Sequence, residues 1–97
     1  MLTPEDVKQI CSRLSQELTD TVDDGLSEDV SSIVYRIDVT DGGDAVFVDR
    51  HIDIEYSYGD YYEIREDTPL FLYINTLCAL PLVQEDQEIV LYEGPCE

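Results

Sequence analysis

The residues that most often perform chemistry are few in this chain. His51 is the single histidine, and the three cysteines, Cys11, Cys78 and Cys96, are far apart with no Cys-x-x-Cys pair. A catalytic histidine normally needs a nucleophile beside it and a third group that orients it, and no recognisable motif places a serine or cysteine next to His51. The sequence therefore predicts no catalytic residue, no cofactor and no zinc site, and indicates a protein that is not an enzyme.

Two acidic segments, residues 20–31 and 38–49, come nearest to a calcium-binding loop, since each has glycine at its sixth position. The first has Val22 at position three and Ser31 where a bidentate glutamate is needed, and the second has Gly42 at position five. Neither is flanked by the two helices that such a loop requires. The sequence therefore predicts no metal site.

Charge is the strongest compositional signal. The 97 residues include 23 Asp or Glu and 5 Lys or Arg, which gives a net charge of −18. Direct binding to nucleic acid or to an anionic membrane is excluded, because both depend on Lys and Arg. The partners that remain are basic surfaces.

Length and hydropathy predict a single domain over residues 1–97, with enough apolar residues for one modest core. The N-terminus lacks the features of a signal peptide, and the longest apolar stretch, residues 70–83, is too short to cross a bilayer. We therefore expect a cytoplasmic protein that does not enter membranes, and either a monomer or a small homodimer.

Hydrophobic periodicity predicts the helices. Thr3 and Pro4 are typical of a helix start, and apolar residues then recur at helical spacing at Val7, Ile10, Cys11, Leu14 and Leu18. A second helix is predicted from Pro69 to the residues before Pro81, although a buried strand pair over 69–80 is an alternative.

The region between the helices alternates with a period of two and predicts strands over 32–40, 45–58 and 61–66, with a last strand over 88–92. A strand covering 45–58 is long for so small a domain, so the sequence predicts either a bend near Asp49 and Arg50 or an overhanging hairpin. The predicted fold class is α+β: an antiparallel sheet of about four strands, a meander plus a C-terminal strand, with both helices on one face.

The acidic positions of the second strand suggest a binding surface. Alternate positions of a strand lie about 6.6–6.8 Å apart on one face, close to the spacing of phosphates along a nucleic-acid strand. Asp49, Asp53 and Glu55, interrupted by His51, occupy such positions, and we expect them to face solvent as a ribbon of negative charge. Acids and tyrosines around the next hairpin extend this surface. The predicted partner-binding set is Asp49, Asp53, Glu55, Tyr56, Tyr58, Asp60, Tyr61, Tyr62, Glu63, Glu66 and Asp67.

The charge excess, the small size and the runs 49–56 and 58–63 resemble, in type rather than by motif, small acidic phage proteins that imitate nucleic acid. These include anti-restriction proteins, uracil-DNA glycosylase inhibitors and anti-CRISPR proteins. The resemblance implies a phage origin, residence in the host cell cytoplasm and inhibition of a host defence system. It also implies that the acidic surface fills the basic groove of a nucleic-acid-binding protein, such as a CRISPR effector complex.

Two other interpretations stay open. Thirteen Asp, ten Glu and a single Lys also suit a halophilic protein, whose acidity maintains solubility in high salt. An immunity protein or antitoxin that plugs a basic nuclease would have the same surface chemistry as an inhibitor of a defence complex.

Overall fold

The computed structural model describes residues 2–17, 30–57, 59 and 61–94. They form a four-stranded antiparallel sheet and two helices, which confirms the predicted α+β class. The elements are α1 (Pro4–Glu17), β1 (Val30–Asp41), β2 (Val46–Tyr56), β3 (Tyr61–Arg65), α2 (Pro69–Cys78) and β4 (Gln87–Glu93).

Helix α1 begins with a reciprocal cap. The Thr3 hydroxyl accepts a hydrogen bond from the Asp6 backbone N–H, and the Asp6 carboxylate accepts one from the Thr3 N–H, both at 3.1 Å. The predicted apolar stripe is buried through Leu14, while Leu18 lies outside the described residues. Local capping and tertiary burial therefore favour the same helix.

Helix α2 is the predicted second helix, so the alternative of a strand pair over 69–80 is wrong. The Thr68 hydroxyl caps the helix by accepting from the Phe71 N–H at 3.3 Å, and Pro69 occupies the first turn. The helix ends at Cys78, and the residue that caps it, Ala79, has a left-handed φ of 53°. Its buried face contributes Leu70, Phe71 and Ile74 to the core.

The strand order is β3-β2-β1-β4, so the C-terminal strand returns to pair with β1 rather than with β3. Tyr35 and Ile52 form one of the cross-strand pairs at the centre of the sheet, and both side chains are fully buried. The core lies between this face of the sheet and the two helices.

The β1–β2 pair extends beyond both neighbouring strands. Pairing of β1 with β4 ends at Ile37 and pairing of β2 with β3 ends at His51, whereas β1 and β2 stay paired from Asp38–Asp49 to Asp41–Val46. Of the two predicted solutions, the structure therefore has the overhanging hairpin. We call residues 38–49 the hairpin arm.

The turn of the hairpin arm favours glycine at Gly43. Gly43 has a φ of 93° and donates its N–H to the Asp41 carboxylate at 2.9 Å. Gly42 lies under the Phe47 ring, where an added Cβ would come within 2.6 Å of a ring carbon. The second of the two calcium-loop-like segments is therefore a β-hairpin.

Candidate functional site

The candidate site is the face of the sheet opposite the core, which we call the outer face. Strand alternation and cross-strand register place most of the charged residues of the four strands there. Its members include Arg36, Asp38, Phe47, Asp49, His51, Asp53, Glu55, Tyr61, Glu63, Arg65 and Glu88.

Arg36 organises the centre of the outer face. Its guanidinium donates to the Asp53 carboxylate at 3.0 Å, forms an ion pair with Glu88, and lies 3.8 Å from a Glu55 oxygen. Burial alone would lower the pKa of Arg36, but the Asp53 hydrogen bond and the surrounding carboxylates outweigh it and raise that pKa. Arg36 is therefore a permanent cation that joins β1, β2 and β4.

A cleft of about 390 Å³ lies beside Arg36 at the β2–β3 end of the outer face. Asp53, Glu55 and Tyr61 line it together with Arg36. Because the guanidinium already contacts carboxylates, the cleft offers an incoming anion little unneutralised positive charge.

His51 lies next to Arg36 in the same cross-strand row and is 9% exposed. Its Nδ1 is 3.4 Å from an Asp49 oxygen and 3.9 Å from a Glu63 oxygen, and its Nε2 is 3.7 Å from Asp53. The imidazole therefore faces carboxylates on both sides.

The three acids predicted to form a ribbon on β2 do share the outer face, but they differ in exposure. The Asp49 side chain is 73% exposed and the Glu55 side chain is 43% exposed, whereas that of Asp53 is 13% exposed. The expectation that all three face solvent therefore fails at Asp53, which is bonded to Arg36. The outer face is not a regular ladder of unpaired phosphate-like charges.

The predicted tyrosines do not form one cluster. Tyr56 is 3% exposed and belongs to the core, where its ring meets that of Tyr62 edge-on at 5.9 Å. Tyr61 is 65% exposed on the outer face and is available for contact. Tyr58 lies outside the described residues.

The remaining predicted acids are also separated. Glu63 is on the outer face beside His51, while Glu66 pairs with Arg50 at 3.3 Å. Asp67 is exposed in the turn before α2, and Asp60 lies outside the described residues. The predicted set therefore divides between the outer face, the core and the β3–α2 turn.

The hairpin arm carries exposed acidic and aromatic side chains, and of these the sequence interpretation had singled out only Asp49. Its residues include Asp38, Asp41, Asp44 and Asp49 but no Lys or Arg, and all four of these acids are exposed. Phe47 lies among them and is 62% exposed. The available signal was the odd parity that Phe47 shares with Asp49, which places both on the polar side of β2.

No family model, curated protein or solved structure matches this chain. Fold and surface therefore define its class: a small acidic α+β protein with a four-stranded antiparallel sheet, a charged outer face and a projecting acidic hairpin. Within the described residues, neither helix has the length and apolar character needed to cross a membrane.

Proposed function

We propose that this protein is an inhibitor that occupies the basic nucleic-acid-binding groove of another protein, with the hairpin arm as its leading contact. The observation that carries the proposal is the arm itself, which has four exposed carboxylates, an exposed aromatic ring and no Lys or Arg. A CRISPR effector complex is the target class we favour, because such complexes hold DNA in positively charged channels.

The chemistry of the arm suits such a groove. Its carboxylates attract Lys and Arg at long range and raise the rate of association. Phe47 supplies apolar contact area of the kind that anchors protein interfaces. The arm also extends beyond the ends of the β3 and β4 pairing, so its turn can reach further into a channel than the rest of the sheet.

Arg36 supports the proposal indirectly. It uses Asp53, Glu55 and Glu88 to hold three strands together, which leaves the arm as the part of the outer face with no Lys or Arg of its own. We therefore assign stability to the centre of the outer face and recognition to the arm.

Competition with nucleic acid tests the proposal. Purified guide-loaded CRISPR effector complexes should lose binding to labelled target DNA as this protein is added, and excess DNA should displace the protein. Raising salt from 50 to 500 mM should slow the association, because the Debye length falls from about 14 Å to about 4 Å. A ternary complex in which DNA and this protein bind together with undiminished affinity would contradict groove occupation.

Folding in dilute buffer separates this function from a halophilic origin of the charge. We expect the circular dichroism spectrum and a cooperative urea transition to persist at 10 mM salt, since the core is continuous and Arg36 ties the outer face together. A halophilic domain should instead unfold there, because unscreened repulsion at a charge of −18 opposes the compact state.

A further inference from the structure

The base of the hairpin arm holds two carboxylates directly opposite each other. Asp38 and Asp49 are cross-strand partners on the outer face, and like charges in that position destabilise a sheet. Among the described residues, neither forms an ion pair with a Lys or Arg. A cation placed between them would remove this repulsion.

The buried Nδ1 of His51 lies close to these two carboxylates. Its Nδ1 has no hydrogen-bond partner within the described chain, although His51 is 9% exposed and an Asp49 oxygen is 3.4 Å away. A ring nitrogen in this position can offer its lone pair to a cation that lies between these carboxylates. Burying such an atom without a partner carries a free-energy cost.

We propose that Asp38, Asp49 and His51 Nδ1 form a binding site for a divalent transition-metal ion of the zinc type. One ligand atom from each residue can lie within 4.8 Å of the other two. Ligand atoms at about 2.0–2.2 Å from a tetrahedral zinc ion are roughly 3.3–3.6 Å from one another. A small movement of the three side chains toward each other would therefore complete the site. Water would take the fourth position.

The neighbours of His51 suit this assignment. A metal-binding histidine usually directs its other N–H to a carboxylate, and Nε2 lies 3.7 Å from Asp53, which Arg36 holds in place. A second grouping, His51 with Asp53 and Glu63, also brings its ligand atoms together. It is the weaker candidate because the Asp53 carboxylate is already bonded to the Arg36 cation.

The ligand set also predicts selectivity. Calcium takes six to eight oxygen ligands and magnesium retains most of its water, whereas imidazole with carboxylates suits zinc and neighbouring transition metals. The inference goes beyond the proposed function and does not depend on it, since the site is defined by residues of this chain alone.

Zinc titration of the reduced protein, followed by NMR of the imidazole, tests the site. The signals are unambiguous because the chain has one histidine. We expect stoichiometric Zn²⁺ to shift the Nδ1 resonance at pH 7 and an equal concentration of Ca²⁺ to leave it in place. Asp49→Asn and Asp38→Asn should each weaken zinc binding by about tenfold or more.

Asp44→Asn is the matched control, because it removes one negative charge from the same arm without touching the site. Its zinc affinity should stay within about twofold of that of the unaltered protein. The proposal is overturned if zinc leaves the imidazole unshifted, including the case in which cysteines bind it, or if Asp44→Asn weakens binding as much as Asp49→Asn does.

Discussion

Replacing Tyr35 with alanine should lower the free energy of unfolding by about 3–5 kcal/mol, the range for truncating a buried aromatic side chain. Tyr35 is fully buried at the centre of the core, and its ring meets Phe71 of α2 edge-on at 6.1 Å. Its hydroxyl donates to the Pro81 carbonyl at 2.9 Å. One side chain therefore joins the sheet, the second helix and the segment that leads to β4.

Tyr35→Phe separates these contributions. It keeps the ring against Phe71 and removes the hydroxyl, with its hydrogen bond to Pro81 and its interaction with Arg50, so it should cost about 0.5–1.5 kcal/mol. Urea unfolding followed by circular dichroism measures both variants. Equal losses for the two would show that the hydroxyl, and not the packed ring, dominates the contribution of Tyr35.

The same residue gives the expected pH dependence. Burial, opposed by the nearby Arg50 cation, raises the pKa of the Tyr35 phenol above its usual value. A raised pKa means that the folded state favours the neutral phenol more than the unfolded state does. This part of the stability is therefore complete below about pH 10 and declines as the pH rises beyond that value. Tyr35→Phe should reduce the decline.

Much of the fold could be predicted from periodicity, because each element had a clear pattern. The stripe from Val7 to Leu14 faces the core as predicted, and so do the odd positions Ile33, Tyr35 and Ile37 of β1. What periodicity could not give was the pairing of β4 with β1. That choice depends on how the chain returns after α2, which no local pattern encodes.

The site was harder to predict, since it depends on register. Asp53 was expected to face solvent, but the β1–β2 pairing brings Arg36 to its carboxylate. Tyr56 was assigned to the surface because it lies near other tyrosines in sequence, although it shares the parity of Ile52 and Ile54, which are core residues. For Tyr56, strand parity was therefore the better guide.

Register also explains why the sequence predicted no metal site. Residues 38–49 were compared with a calcium loop, in which consecutive residues surround the ion. In the structure, Asp38 and Asp49 are the two ends of that segment and lie opposite each other across a hairpin. His51 is two residues beyond Asp49 on the same face of β2. Ligands contributed in this way have no fixed sequence spacing.

Reversing two charges of the hairpin arm should have the largest effect on binding to a target. In the presence of a chelator, Asp44→Lys combined with Asp49→Lys should slow association by at least about tenfold, because the arm would then repel a basic groove. Folding should be retained, since Asp44 and Asp49 are exposed. A lysine at position 49 would also face Asp38 across the strands.

The matched control reverses Glu5 and Glu93, which changes the net charge by the same amount on exposed residues outside the arm. If the arm is the contact, this control should retain most of the association rate. If both double variants lose the same affinity, the overall field of the protein attracts the target and the arm has no special part.

Phe47→Ala examines the component of binding that salt does not screen. Phe47 is 62% exposed, so its loss should change stability little, while removing an aromatic anchor should cost about 2 kcal/mol or more, a roughly thirtyfold faster dissociation. Surface plasmon resonance at several salt concentrations distinguishes the two effects. The charge reversals should lower the association rate, and that difference should shrink as the salt concentration rises. Phe47→Ala should instead raise the dissociation rate at every salt concentration. An unchanged dissociation rate would mean that Phe47 stays outside the interface, and the hairpin arm would then contribute through its charge alone.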